Sequence, residues 1–319
     1  MRKQFRPTSA RPKDFLDFWQ NTQEELENVP VDLMRETTEA SASPDLICET
    51  VSFSSLWGKR IHGYFLHPRD DQNGPLVVHA HGYGSCCSVQ WDWGRAGLSV
   101  VGIDVRGFGR SEEALPNPSK WGYVLSGIGS PETSVLRGAI CDYVRAAQVG
   151  QRLLAPNRQR TVLYGRSFGG ALALMTEGVA HLADLLAVGV PSFGWTEGRH
   201  FFVRDGSGQQ INAYLTAYPD QTEDVMLVLR YFDSIHFADL VSCPALVGVG
   251  LEDAVVPANT VYAIANHLGG PVEIMEFPVS HTERPEEKLW DRFEARWESL
   301  ANQGIPADFG RNPADSTPA

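Results

Sequence analysis

Apolar and polar positions change their period along this chain, and each period predicts an element. Over residues 13–29 (KDFLDFWQNTQEELENV), Phe15, Phe18, Trp19 and Leu26 fall at mostly helical spacing. That pattern predicts an amphipathic helix, an N-terminal extension over about residues 11–29. LICETVSFSS from Leu46 and RIHGYFLHP from Arg60 alternate with a period of two, which predicts an antiparallel pair of strands. From Pro75 onward the runs become short and almost continuously apolar: PLVVHAH, LSVVGIDV, TVLYG, LLAVGV, PALVGVG and PVEIMEF. Runs of this kind suit strands buried on both faces, as in a parallel sheet covered by helices. Helix-like segments at 135–147, 170–179 and 259–268 lie between most of them. The alternation predicts an α/β fold with a doubly wound, mostly parallel sheet. Residues 198–239 break the rhythm without a clear strand and are expected to form helices or a cap. The tail after Gln303 is rich in Pro, Ala and Asp and is expected to fray.

Composition narrows the class. At 319 residues the chain is expected to be one large α/β domain, because such folds often exceed the usual domain length. Its 27 Lys+Arg against 39 Asp+Glu leave a net charge of −12, which argues against nucleic acid or an anionic membrane surface as partner. No apolar run approaches the roughly 20 residues of a membrane helix. The opening MRKQFRPTSARPKDF has no apolar stretch behind its basic residues and is not expected to be a secretory signal. Cys48, Cys86, Cys87, Cys141 and Cys243 form no CxxC pair, so neither a metal site nor a disulfide framework is expected, and the cytoplasm is the simplest location.

The chemistry concentrates in Gly165-Arg166-Ser167-Phe168-Gly169-Gly170. This G-x-S-x-G follows an apolar strand and precedes a helix-like segment, the context of a nucleophile elbow that exposes a strained serine. A serine hydroxyl needs a base. In α/β hydrolases the order is Ser, acid, His, which removes His62, His67, His79 and His81; His181 and His267 lie on helix-like segments, and His200 and His236 precede the last two strands. His281, in the loop after PVEIMEF, remains. The acid should follow the preceding strand, where Asp253 is the candidate and the adjacent Glu252 meets the same chemical requirement. Two oxyanion donors are expected: the Phe168 backbone N–H and, from the loop HAHGYGS, that of Tyr83, with Gly82 and Gly84 allowing the turn. His81 is expected to brace that loop, Arg106 to pin neighbouring loops, and Cys86 and Cys87 to pack. The G-x-G of DVRGFGRS is too short to claim a dinucleotide site.

With those residues placed, the chain resembles the acetyl xylan esterase and cephalosporin C deacetylase family of serine α/β hydrolases. RPKDFLDFWQNTQEEL is similar to the family's N-terminal helix, AHGYGS to its oxyanion loop, GLEDAVVPANTVYAIANHL to its Asp motif and FPVSHTE to its His loop, here with Thr282 before Glu283. DVRGFGRS stands at the family's Arg-Gly-Gln motif and GRSFGG at its G-x-S-Q-G-G. The resemblance implies Ser167, Asp253 and His281 as triad, Tyr83 and Phe168 as oxyanion donors, and no cofactor or metal. WGYVLSGIGSPETSVLRGAICDYVRA resembles the family's interface extension, which implies a homo-oligomer, often a hexamer with active sites facing an inner chamber.

The function expected is a serine esterase that removes a small acyl group, acetyl first, from a small-molecule sugar or natural-product ester through an acyl-enzyme. A thioesterase, lactonase or acyl-peptide hydrolase with the same triad is the alternative. A non-catalytic binding protein of this fold would usually lack a triad member, and a dehalogenase or epoxide hydrolase would carry Asp in place of Ser167. Phe108 and Phe168 replace two family glutamines. A more apolar pocket wall follows, with weaker action on acetylated xylo-oligosaccharides than the family norm.

Overall fold

The computed structural model describes residues 4–37, 43–70, 73–154, 160–281, 283 and 287–310. The Thr282 insertion and the tail beyond residue 310 lie outside them. In chain order the elements are α1 (Phe15–Glu27), β1 (Met34–Thr37), β2 (Leu46–Ser55), β3 (Lys59–Pro68), β4 (Leu76–Ala80), α2 (Trp91–Arg95), β5 (Ser99–Asp104), α3 (Val135–Leu154), β6 (Thr161–Arg166) and α4 (Phe168–Ala180). There follow β7 (Leu185–Gly189), α5 (Thr196–Phe202), α6 (Gly206–Ala217), α7 (Thr222–Arg230), α8 (Ile235–Ala238), β8 (Ala245–Gly250), α9 (Ala258–Ala265), β9 (Val272–Phe277) and α10 (Trp290–Gln303).

The strands make one nine-stranded sheet in the order β1-β2-β3-β5-β4-β6-β7-β8-β9. β1, β2, β3 and β5 pair antiparallel, and from β5 through β4 to β9 every pairing is parallel. The chain goes from β4 to β5 on one side and from β6 to β7 on the other, so strand order reverses between β4 and β6. Parallel sheets open a crevice at the carboxyl ends of the strands at such a reversal. The loops carrying Tyr83 and Ser167 leave β4 and β6 there, with His79 and Tyr164 in register just before them.

Strands β4 to β8 are buried at every described position except Arg166, as continuous apolar runs require. β9 departs from that expectation. It is the sheet edge, and Val272 to Met275 are only half-buried because no strand covers their outer side. α3 also runs seven residues past its expected end. Gly150, which reads as a helix breaker, is a point of close approach: a Cβ there would lie 3.0 Å from a Leu76 methyl on β4. β1, α2 and α10 were not anticipated from the pattern.

α1 lays Phe15, Phe18, Trp19 and Leu26 against the molecule, and its Phe15 and Trp19 rings pack edge-on to Phe237 of α8 at 5.0 and 5.2 Å. Residues 198–239, expected as helices or a cap, form four helices, α5 to α8, between β7 and β8. α6 reaches over the loop after β4 through Gln210, described next.

Candidate active site

Ser167 occupies the turn between β6 and α4 with φ +53° and ψ −117°. For a residue with a side chain this conformation is strained by about 1–3 kcal/mol, and it persists only where the surroundings enforce it. Its N–H donates to Gly189 O at 2.9 Å, and its carbonyl accepts from Ala171 and Ser192 N–H at 3.0 and 3.1 Å. The turn closes only because Gly165 and Gly169 have no side chains: a Cβ would stand 2.2 Å from the Gly169 carbonyl carbon in one case and 2.3 Å from Ala80 O in the other.

Asp253 and His281 come together from the loops after β8 and β9. Asp253 Oδ2 accepts from His281 Nδ1 at 2.7 Å and from the His281 backbone N–H at 3.1 Å. Its Oδ1 accepts from Val255 and Val256 N–H, both at 2.8 Å. Burial alone would raise the Asp253 pKa, but the His281 hydrogen bond and these amides hold it below the ordinary carboxylate value. Glu252, chemically equivalent in the sequence, is exposed while Asp253 is buried.

The His281 loop is fixed by residues that the sequence reading did not single out. Arg166 Nη2 donates to His281 O at 2.8 Å while its guanidinium stacks 4.2 Å from the Trp290 ring centre. Trp290 Nε1 donates to Ser280 O at 3.0 Å. Glu283 accepts from Leu289 and Trp290 N–H at 2.7 and 3.1 Å, which caps the start of α10.

Ser167 and His281 line one cavity of ≈ 180 Å³, together with Gly82, Tyr83, Ser192 and Arg199. That is about the liquid volume of six waters, room for a small acyl group beside the serine. The Phe168 and Tyr83 amides have no hydrogen-bond acceptor among the described residues. Phe168 N–H is also the first of α4, where the helix dipole favours negative charge. The Tyr83 hydroxyl donates to Gln210 Oε1 at 2.6 Å and accepts from Val124 N–H at 3.0 Å. His81 Nε2 accepts from Val105 N–H at 3.1 Å, so Nδ1 carries the proton and donates to Gly82 O at 2.7 Å. Burial lowers its pKa in keeping with a neutral ring, and its place is that of the expected loop brace.

Arg106 likewise pins elements together. Its Nε and Nη2 grip Asp142 of α3 at 2.8 and 2.6 Å, both side chains being wholly buried. Cys87 packs against His79, its Sγ 3.6 Å from the ring nitrogens, while Cys86 is exposed and does not pack as expected.

One of the two phenylalanines, Phe108, is not where the apolar-wall expectation needed it. Phe108 does not line the cavity; its ring stands behind, 4.5 Å from Tyr123 and 5.2 Å from His81. Phe168 is fully buried, its ring edge-on to Tyr83 and Phe193 at 5.6 and 6.0 Å. Both rings belong to an aromatic cluster beneath the oxyanion loop, and Phe168, Phe193 and Val255 form the apolar side of the cavity. The sequence reading missed Ser192, whose hydroxyl lies 3.4 Å from that of Ser167, and Arg199 on α5. Ser192 had one available signal, its position just after a parallel strand; Arg199 had none. No group of three or more metal-binding side chains occurs among the described residues.

Comparison with known proteins points to one family. The acetyl xylan esterase family model matches residues 2–296. An acetyl esterase of Xylanibacter ruminicola is 21% identical over 286 residues, covering 86% of this chain and 64% of the relative. The chain thus spans just under two thirds of that relative's length. Among solved structures, an acetyl xylan esterase from a Paenibacillus species superposes with a TM-score of 0.83 at 25% identity, covering 92% of this chain and 98% of its own. An acetyl xylan esterase from a Thermoanaerobacterium species has the same fold, with a TM-score of 0.82 at 22% identity over 92% of this chain and 97% of its own.

Proposed function

This chain belongs to the acetyl xylan esterase family, and on that footing we propose that it is a serine esterase that removes acetyl groups from a carbohydrate or natural-product ester. The observation that carries the reading is the His281–Asp253 pair at 2.7 Å, opening onto the same small cavity as the strained Ser167. Ser167 Oγ attacks the ester carbonyl while His281 Nε2 takes its proton. Asp253 holds the Nδ1 proton and stabilises the imidazolium without accepting the proton itself. The carbonyl oxygen, now negative, is met by the Phe168 and Tyr83 amides. His281 then protonates the departing alcohol, and water, deprotonated by the same imidazole, releases acetate from Ser167. The ≈ 180 Å³ cavity supports an acyl group as small as acetyl.

The same reading sets the enzyme in the cytoplasm, supported by five cysteines that are all free thiols. No helix among the described residues is long and apolar enough to cross a membrane.

The test is twofold. A fluorophosphonate should label Ser167, and acetate should be released from 4-nitrophenyl acetate and from an acetylated xylo-oligosaccharide. Labelling at another serine, or hydrolysis that persists in Ser167→Ala, overturns the reading.

A further inference from the structure

Arg199 is 8% exposed and lines the cavity that holds Ser167 and His281. Removing a guanidinium from water is strongly unfavourable unless a carboxylate or several acceptors receive it. The other deeply buried arginines obey that rule. Arg106 grips Asp142, Arg137 reaches Glu25, and Arg145 donates to the backbone carbonyls of Leu26 and Val29. Arg199 donates through Nη2 to one neutral group, Ser207 Oγ at 2.7 Å, and lies 4.9 Å from the Phe193 ring centre.

Among the described residues no carboxylate pairs with it. Asp233, the acidic group whose charge reaches it, is already occupied. Its Oδ1 accepts from Trp195 and Ile235 N–H, and its Oδ2 accepts from Thr196 N–H and the Ser9 hydroxyl. Burial brings the Arg199 pKa down to about 10, which still leaves it charged at neutral pH. The guanidinium has five N–H donors in a planar fork, and those not used by Ser207 have no acceptor among the described residues although the side chain borders the cavity.

We propose that Arg199 receives a carboxylate of the substrate, so that the preferred esters carry an anionic group a few bonds from the scissile carbonyl. This rests on the reading that Ser167 hydrolyses esters. A planar fork matches a carboxylate in two parallel hydrogen bonds, and charge-assisted bonds of this kind are the strong ones. The cavity is small, which keeps the carboxylate near the ester. It does not decide whether the charge belongs to the acyl or the alcohol half, and the experiment separates these.

The test compares anions with amides of the same shape. Acetoxyacetate against acetoxyacetamide puts the charge on the alcohol half; monomethyl succinate against methyl succinamate puts it on the acyl half. In at least one pair, kcat/KM should favour the anion about tenfold or more, which corresponds to about 1.4 kcal/mol. Arg199→Gln should lower that ratio by about the same factor, and Arg199→Lys should recover part of it, since a point charge lacks the fork. Equal rates within both pairs, or a preference that survives Arg199→Gln, overturns the proposal. A purely structural role, or direct service to the oxyanion, would slow anion and amide alike and leave the ratio unchanged. If Arg199→Gln fails to fold, the wild-type ratios decide. Loss of this preference while Ser167 is still labelled and methyl acetate still hydrolysed leaves the esterase reading standing; no hydrolysis of any ester removes the reading beneath it.

Discussion

Asp253 holds His281 at two points, since one oxygen accepts both the ring Nδ1–H at 2.7 Å and the backbone N–H at 3.1 Å. The carboxylate therefore sets the position of the loop as well as the tautomer of the ring. Asp253→Asn should leave the fold intact and reduce kcat by roughly 10⁴, the loss that follows when the imidazole is held in the wrong tautomer. A larger loss in Glu252→Gln would move the acid by one residue. The pH dependence has a definite sign. The Asp253 pKa in the folded chain lies below its ordinary value of 3.8, so the group adds stability at pH above that value and loses it as pH falls further. Thermal denaturation from pH 6 to 3 should show a steeper decline for wild type than for Asp253→Asn.

Ser167 stores strain that a glycine would not. Ser167→Gly should abolish ester hydrolysis and raise stability by about 1 kcal/mol, the relief of a positive φ less the entropy of the freer unfolded chain. Ser167→Ala should be just as inactive without that gain. Equal melting temperatures for the two variants would show that the conformation is not strained.

Phe168 is a buried filler. Phe168→Gln should place an unpaired amide among Tyr83, Phe108 and Phe193 and cost about 1–3 kcal/mol. The backbone donor survives the change. The relative kcat/KM for acetylated xylobiose and an apolar acetate ester should therefore stay within about twofold, because Phe168 borders the cavity with no accessible surface of its own. A shift toward the sugar with unchanged stability would show that the side chain at 168 reaches the substrate.

Arg106 and Asp142 test the loop anchor. Asp142→Ala leaves the Arg106 cation buried without its partner and should cost about 3–5 kcal/mol. The double replacement Arg106→Met with Asp142→Leu should be less damaging than the sum of the single changes, as urea denaturation of the four proteins would read directly.

Much of the fold was legible because β4 to β8 are buried on both faces and each announces itself as an unbroken apolar run. β9 differs in carrying Glu273 and Glu276, and it sits at the sheet edge, where Glu273 is half-buried and Glu276 exposed. The expected end of α3 fell short because the pattern does not show that Gly150 lets the helix lie close on the sheet. Ser167, Asp253 and His281 were readable because hydrolase chemistry imposes an order along the chain. Phe108 was misplaced because spacing does not say which way a side chain leaves a tight turn. Arg199 was invisible, since its burial follows from helices that have no periodic link to the loops they cover.

The phenol of Tyr83 is bonded to Gln210 of α6, while Tyr83 itself lines the cavity at Ser167. Roof and floor are thus one linked part. Raising α6 either breaks that bond or drags the loop with it, so the pocket loses an electrostatic support as it opens to solvent. Replacement of Gln210 should then register as a slower reaction although it touches no reacting atom.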